Sequence, residues 1–206
     1  MMTGERMDTR FLTEDDLSYA VKKVQEGEVI AFPTETVFGL GVRYDSEAAF
    51  QKLVCVKNRP DHKPFTVMCA NAAQIEQIAY CDEKVKHVMH SFMPGPLTLL
   101  LPAKYLANYI TDGTGVVGVR IPNHVVALKL LEQTGPMLVP SANKSKEPPC
   151  TSAKEVWDVF QGEIPAIIDG KCMENGIPST ILNCTKSPFV IVRQGAITLQ
   201  EIEEVL

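Results

Sequence analysis

The sequence has no apolar stretch approaching the roughly 20 residues that are needed to cross a bilayer. Its first six residues do not lead into the apolar segment of a secretory signal. We therefore expect a cytoplasmic protein with no membrane partner. The chain also lacks net positive charge, since it carries −5 at pH 7, and a generally basic surface for nucleic acid is excluded. A local cationic cleft stays compatible with this total, because net charge does not describe how charges are distributed.

Several familiar enzyme motifs are missing as well. The chain contains no G-x-x-x-x-G-K-[ST] loop, no G-x-G-x-x-G before a helix, no G-x-S-x-G and no protein-kinase signature set. If ATP binds, it binds in a site of another design. None of the six cysteines forms a C-x-x-C pair, which argues against structural zinc and thioredoxin-type sites. Most cysteines lie in apolar runs, so we expect them to be reduced and in the core.

The residues that are present predict one α/β domain. A chain of 206 residues with 45 % apolar and 22 % charged residues can bury one core of ordinary size. Strands are predicted at 29–32, 65–69, 97–101, 116–121, 137–139, 166–168, 180–182 and 190–192. Helices are predicted at 13–27, from 45, at 72–79, 82–92, 125–132 and 153–160, and from 198. This alternation predicts a largely covered sheet. We assign residues 1–12 to an N-terminal extension and 13–206 to the domain.

Polar residues collect in loops between these elements, where α/β enzymes build their sites. The first loop places the hydroxyls of Thr34 and Thr36 beside Gly39 and Gly41, which suits phosphate or carboxylate. An ordinary threonine-capped turn is the alternative. The second loop carries three cations in seven residues, namely Lys57, Arg59 and Lys63. A guanidinium can contact phosphate with two N–H groups, but a solvated charged turn would look the same.

Two further loops follow apolar runs. Arg120 lies in an apolar strand and needs an anionic partner if it is buried, although strand alternation could also place it in solvent. Ser141 and Asn143 form a short Ser-x-Asn loop whose donors and acceptors could fix a small polar ligand or merely close a turn. Ser179 and Arg193 flank later strands in the same way. Cations and hydroxyls thus gather at strand ends with few apparent acidic partners.

Five segments in this order resemble the YrdC-like family, and most closely its TsaC-type L-threonylcarbamoyladenylate synthases in their short, single-domain form. The segments are F-P-T-E-T-V-F-G-L-G at 32–41, K-N-R at 57–59, P-G-P-L-T at 94–98, V-R-I-P at 119–122 and P-S-A-N at 140–143. The resemblance implies a single-domain YrdC-like fold, with a twisted mixed sheet flanked by helices and an open cationic cleft. It also implies synthesis of L-threonylcarbamoyl-AMP from L-threonine, bicarbonate and ATP, with release of pyrophosphate. This is the first step of threonylcarbamoyladenosine formation in tRNA.

The resemblance also assigns site residues by matching position. Lys57, Arg59, Ser141 and Asn143 would be the signature site residues of the family, and Lys57 and Arg59 would be catalytic. L-Threonine would be held by Thr36, Arg120, Ser141 and Ser179. ATP would be held by Arg59, Lys63, Asn143 and Arg193, with Thr34 and Thr151 as further candidates. Mg²⁺ would accompany the triphosphate and not a protein cage, so no protein metal site is expected. The product would pass to a threonylcarbamoyl transferase complex that acts on tRNA.

Some positions depart from the family pattern and leave other interpretations open. Met68 replaces a histidine of some members, Pro178 a glutamate, Lys171 a glycine and Pro149 a serine. A paralogue with a different acceptor is therefore an alternative. Another is a non-catalytic module of the same fold that binds double-stranded RNA or the ribosome, and weak RNA binding by the enzyme is also possible. Carbamoyl transfer as in hydrogenase maturation proteins ranks last, because their zinc-binding and acylphosphatase-like segments are absent.

Two expectations concern single side chains. Because Lys57 falls in a polar segment, we expect Lys57→Ala to reduce turnover strongly and to change folding stability little. His87 and His90 have a spacing that two metal ligands on one helix could have, but a surface pair on a lysine-rich helix is the favoured interpretation.

Overall fold

The computed structural model describes residues 7–58, 65–172 and 177–206. Its strands are β1 (Arg10–Leu12), β2 (Ile30–Phe32), β3 (Gly39–Arg43), β4 (Val67–Met68), β5 (Leu97–Pro102), β6 (Val116–Arg120), β7 (Met137–Leu138), β8 (Ala166–Ile168), β9 (Thr180–Asn183) and β10 (Val190–Arg193). Its helices are α1 (Ser18–Gln25), α2 (Glu47–Lys57), α3 (Ala72–Ile78), α4 (Glu83–Phe92), α5 (Asn108–Thr111), α6 (Val125–Thr134), α7 (Ala153–Phe160) and α8 (Leu199–Glu203). The described ranges contain no helix that is long and apolar enough to cross a membrane.

The strands form one mixed sheet in the order β1-β8-β2-β3-β7-β4-β6-β5-β9-β10. Four neighbouring pairs are parallel, namely β1–β8, β8–β2, β4–β6 and β5–β9, and the other five are antiparallel. Sequence neighbours are often distant in this order, so β2 lies beside β8 and β5 beside β9. The sheet therefore brings together loops that lie far apart along the chain.

Helices cover both faces of the sheet. Alternation along β2 directs Ile30 and Phe32 towards a cluster formed with α1 and α6, while Ala31 packs in a larger cluster on the opposite face. On β8, Ile168 packs in the same cluster as Ile30, and Ile167 packs in the same cluster as Ala31. Burial on both faces explains why these strands read as continuous apolar runs. The predicted α/β class is confirmed.

Most predicted elements are present, and several helix caps behave as their sequence indicates. The Ser46 hydroxyl accepts a hydrogen bond from the Ala49 amide at the start of α2. Thr198 and Glu201 form a reciprocal capping box at α8. The predicted start of α1 at Thr13 is wrong: the helix begins at Ser18, because the Thr13 carbonyl accepts from the Asp16 amide in a separate turn.

Three elements were not predicted. Strand β1 pairs in parallel with β8, so the sheet includes three residues that we assigned to the N-terminal extension. Helix α5 has only four residues and no clear sequence period. Strand β3 contains Gly39 and Gly41, which were interpreted only as suiting an anion beside Thr34 and Thr36. Its glycines make room for neighbouring side chains: a Cβ on Gly39 would lie 2.5 Å from Val139 Cγ1, and one on Gly41 would lie 2.5 Å from Met137 Cε.

The cysteines and histidines largely follow expectation. All six cysteines are free; Cys69, Cys150 and Cys184 are buried, whereas Cys55 is exposed, contrary to the expectation for an apolar run. His87 and His90 are both exposed on α4, which confirms the surface pair.

The hydroxyl of the fully buried Thr180 joins the C-terminal segment to the sheet, and replacing it tests how much this contact contributes to folding stability. Its hydroxyl donates to the Ile197 carbonyl (2.6 Å) and accepts from the amides of Gly195 and Ile197 (both 3.0 Å). We expect Thr180→Val to lower the free energy of unfolding by about 2–4 kcal/mol, because valine leaves three polar groups without their partner. Urea denaturation measures this. Thr185→Val, whose hydroxyl bonds only locally to Asn183 Oδ1, is the control.

Candidate functional site

A cavity of about 480 Å³ opens where loops from distant parts of the chain meet. Its wall combines the β2–β3 loop, the end of β6, the segment after β7 and the ends of β9 and β10. Six predicted site residues line it: Thr34, Thr36, Arg120, Ser141, Ser179 and Arg193. The structure therefore brings together residues spread over 160 positions of sequence.

The β2–β3 loop holds its own shape through Thr34. The Thr34 hydroxyl donates to the Val37 carbonyl (2.7 Å) and accepts from the amides of Thr36 and Val37. Its oxygen also lies 3.1 Å from Thr36 Oγ1. Since the single Thr34 proton is used on Val37, Thr36 is the donor in that contact. Thr34 thus shapes the loop, and its hydroxyl has no proton left for a phosphate oxygen.

Arg120, the last residue of β6, is buried with a side chain that is only 5 % exposed. Its Nε donates to the Gly95 carbonyl (3.2 Å) and its Nη2 to Thr36 Oγ1 (3.1 Å). Nη2 also lies 2.8 Å from Oε1 of Glu35, whose side chain is 4 % exposed. The strand-alternation alternative, with Arg120 in solvent, is therefore wrong, and Arg120 has one acidic partner, Glu35.

The Glu35–Arg120 contact is an ion pair without a directed hydrogen bond. Although the two atoms lie within hydrogen-bonding distance, neither Glu35 oxygen accepts a hydrogen bond from any described residue. The N–H of Arg120 Nη2 therefore does not point at the carboxylate, and the attraction is that of two charges. Sequence inspection missed Glu35, because nothing local to a T-E-T segment shows that its carboxylate is turned inwards.

A second arginine faces the cavity from the end of β10. Nε and Nη2 of Arg193 donate to the Ser179 carbonyl (3.2 and 2.8 Å), and Nη2 also reaches Ser179 Oγ (3.2 Å). Ser179 Oγ lies 2.9 Å from Oγ1 of the buried Thr98, a cavity-lining hydroxyl that sequence inspection also missed. Burial, and then the nearby charge of Arg120, lower the pKa of Arg193. An anion between the two guanidinium groups would relieve this repulsion.

Lys57 is not in a polar loop. It is the last residue of α2 and is 4 % exposed. Its ammonium donates to the carbonyls of Ser141 (2.6 Å) and Asn143 (3.0 Å) and to Asn143 Oδ1 (3.1 Å). Ser141 Oγ also donates to Asn143 Oδ1 (2.6 Å). We expected Lys57→Ala to change folding stability little, because Lys57 falls in a polar segment. Its burial and its hydrogen bonds contradict the reason for that expectation.

Three described residues of the predicted site, Lys57, Asn143 and Thr151, do not line the cavity. The Asn143 amide donates to the carbonyls of Lys144 and Glu147, so this side chain closes its own loop. Thr151 is exposed, and its amide and hydroxyl both donate to Glu155 Oε2 (2.7 and 3.2 Å). Arg59 and Lys63 fall outside the described residues.

Three of the four departures from the family pattern line the cavity, namely Met68, Pro149 and Pro178. With Val37, Phe38 and Phe65 they belong to the apolar part of its lining. The fourth, Lys171, lies elsewhere, and its carbonyl accepts from His124 Nε2 (3.1 Å).

The arrangement can bind a small anion with an apolar substituent. Two guanidinium groups, the hydroxyls of Ser179 and Ser141 and the apolar wall share one cavity. Within the described ranges no three His, Cys, Asp or Glu side chains converge as metal ligands.

Comparison with known proteins gives a consistent family assignment. The Sua5/YciO/YrdC family model, described as telomere recombination, matches residues 22–195. The threonylcarbamoyl-AMP synthase of Pyrococcus abyssi is 41 % identical over 186 residues, which are 89 % of this chain and 55 % of that protein. The synthase of the same name from Photobacterium profundum is 33 % identical over 186 residues, 88 % of this chain and 100 % of that protein. This chain thus spans about half the length of the first relative and all of the second.

Solved structures show the same likeness in three dimensions. The crystal structure of P. abyssi Sua5 complexed with L-threonine superimposes with a TM-score of 0.91 at 38 % identity, covering 96 % of this chain and 60 % of that one. E. coli YciO superimposes with a TM-score of 0.84 at 23 % identity, covering 95 % and 99 %, and shows a common fold. This chain belongs to the Sua5/YciO/YrdC family.

Proposed function

We propose that this chain synthesises L-threonylcarbamoyl-AMP from L-threonine, bicarbonate and ATP and releases pyrophosphate. The observation that carries the proposal is the cavity in which Arg120 and Arg193 face the same space beside hydroxyls and an apolar wall. A relative with the same fold binds L-threonine. Relatives named threonylcarbamoyl-AMP synthase match most of this chain, including one that it covers over its whole length.

The lining of the cavity supports a threonine end of the site at Arg120. Arg120 has hydrogen bonds at Nε and Nη2, while its Nη1 has no hydrogen-bond partner among residues of the described ranges. We assign the threonine carboxylate to this group and to the nearby Arg193, because each guanidinium retains N–H groups for an anion. Ser179 and Ser141 would orient the rest of the amino acid, and Met68 and Val139 offer apolar contact for its methyl group.

The nucleotide end remains a set of residue predictions. Arg193 would also meet a phosphate, Asn143 and Lys57 would fix the neighbouring loop, and Arg59 and Lys63 would supply the additional cations of a cationic cleft. Thr34 and Thr151 are weaker candidates, because both hydroxyls already have protein partners. Mg²⁺ would enter with the triphosphate and neutralise charge between its oxygens.

The reaction needs positioning and charge neutralisation and no covalent enzyme intermediate. The threonine amine attacks bicarbonate, water is lost, and a carbamate oxygen displaces pyrophosphate from the α-phosphorus of ATP. Each step brings anions together, so fixed cations and hydroxyls lower the barrier. We further propose that the product passes to a threonylcarbamoyl transferase complex that modifies tRNA.

Pyrophosphate release tests the proposal. With Mg²⁺-ATP, we expect turnover only when L-threonine and bicarbonate are both present, because either omission leaves no carbamate to attack the nucleotide. Coupled phosphate detection measures the rate, and an active relative run in parallel serves as the control. Folded protein without threonine-dependent release would overturn the proposal.

A further inference from the structure

Glu35 is a buried charge that the proposed reaction does not use. Thr34 and Thr36 on either side of it line the cavity, whereas Glu35 does not. Its carboxylate is instead held against Arg120, with 2.8 Å between Oε1 and Nη2 and both side chains at most 5 % exposed. The other ion pairs of the described residues join surface groups, with exposures of at least 24 %. A buried pair of this kind calls for a reason beyond stability.

We infer that Glu35 sets the charge of the cavity at Arg120, so that a single carboxylate is accepted there and multiply charged phosphates are excluded. Glu35 is thus a specificity-determining residue that acts through Arg120. The inference rests on the proposed function only for the identity of the carboxylate as that of threonine.

The net charge at the cavity depends on Glu35. Among the described residues that line the cavity, the charged side chains are Arg120 and Arg193. Without Glu35 they would present two positive charges to one small space, which would attract a phosphate dianion strongly. With Glu35 behind Arg120 that pair is close to neutral, and the positive charge that remains is that of Arg193. Glu35 therefore leaves Arg120 its hydrogen-bonding geometry and reduces its attraction for a highly charged anion.

The orientation of Arg120 does not depend on Glu35. Gly95 and Thr36 already fix the guanidinium through Nε and Nη2. The Glu35 contact adds no directed hydrogen bond, since neither of its oxygens accepts one from a described residue. What Glu35 contributes at this place is therefore charge.

The proposed reaction requires that phosphate groups be kept away from Arg120. ATP and its pyrophosphate product carry several negative charges each and must lie close to the amino acid. A dicationic pocket at Arg120 would bind a phosphate group in place of the threonine carboxylate. A near-neutral Glu35–Arg120 pair gives polyphosphate no gain there and leaves it to the other cations of the site.

Binding of inorganic phosphate to the intact chain tests the inference without turnover. We expect Glu35→Gln to lower the Kd of phosphate at least about tenfold, because a charge within several ångström of the ligand no longer repels it. The Kd of threonine, which has no net charge, should change less than about threefold. Titration calorimetry measures both, and phosphate should compete with threonine. Glu28→Gln, which removes a carboxylate paired with exposed Lys52, is the matched control and should leave both constants unchanged.

Two more variants test whether the effect depends on Arg120 and on the charge of residue 35. The gain in phosphate affinity should vanish in Glu35→Gln combined with Arg120→Gln, because the extra attraction comes from Arg120. Glu35→Asp keeps the charge and should bind phosphate within about threefold of wild type. Unchanged phosphate binding in Glu35→Gln, or a tenfold gain in Glu35→Asp, would overturn the inference. Absence of threonine-dependent pyrophosphate release in the wild type would instead contradict the proposed function, and the phosphate titrations would still stand.

Discussion

Replacing Arg120 with glutamine is expected to abolish threonine use and to destabilise the fold. The change leaves the Glu35 carboxylate buried without its counter-charge, a situation that costs about 3–5 kcal/mol in the free energy of unfolding. It also removes the guanidinium that we assign to the threonine carboxylate. We expect kcat/KM for threonine to fall about 100-fold or more, the effect of losing a charged hydrogen-bond partner.

Urea denaturation and steady-state pyrophosphate release measure the two effects. The matched control is Arg43→Gln, because Arg43 also pairs with a carboxylate through two close contacts, 2.6 and 2.9 Å to Asp45. That pair is exposed, at 41 % and 50 %, so its loss should cost no more than about 1 kcal/mol. Equal destabilisation of the two variants would show that the burial of the Glu35–Arg120 pair has no energetic consequence.

Lys57→Met is expected to lower both stability and activity. Methionine keeps most of the apolar length of the side chain and removes the ammonium group that donates to Ser141 and Asn143. The partly buried carbonyls of Ser141 and Asn143 then lose a charged donor, and we expect the free energy of unfolding to fall by about 2–4 kcal/mol. Because Ser141 lines the cavity, a shift of its loop by about 1 Å should reduce turnover about 100-fold.

Thermal unfolding and initial rates measure this prediction, and Lys52→Met is its control. Lys52 lies on the same helix, is 45 % exposed and pairs with Glu28 at the surface. Its replacement should leave activity unchanged and stability within about 1 kcal/mol. An inactive Lys57→Met protein with wild-type stability would mean that Lys57 acts on substrate and does not position the Ser141–Asn143 loop.

The fold was predictable where its signals are local. Ser46 and the Thr198–Glu201 pair cap helices through contacts three residues away. Such contacts can be predicted from the residue types at that spacing. Continuous apolar runs such as 166–168 mark strands with two covered faces. Strand β3 was missed because its signal is not local. Its glycines leave room for the side chains of Val139 and Met137, which lie almost 100 residues away along the chain.

The site was predictable as a set of residues and not as a set of contacts. Thr36, Arg120, Ser141, Ser179 and Arg193 were named from loops at strand ends, and the sheet order brings them to one cavity. Their partners were not foreseeable. Whether Arg120 meets solvent, substrate or Glu35 depends on how β6 lies relative to the β2–β3 loop, and the sequence contains no local record of that placement.

By itself the sequence determined the α/β class, the order of most elements and the residues able to hold an anion, because hydrophobic period, capping and residue chemistry act over a few positions. Only the tertiary structure decided that Lys57 points inwards to a loop 84 residues away and that Glu35 stands behind Arg120. Both follow from strand pairings that no local signal encodes. Those pairings also set the charge of the cavity, because they bury Glu35 and Arg120 side by side, where their opposite charges offset each other.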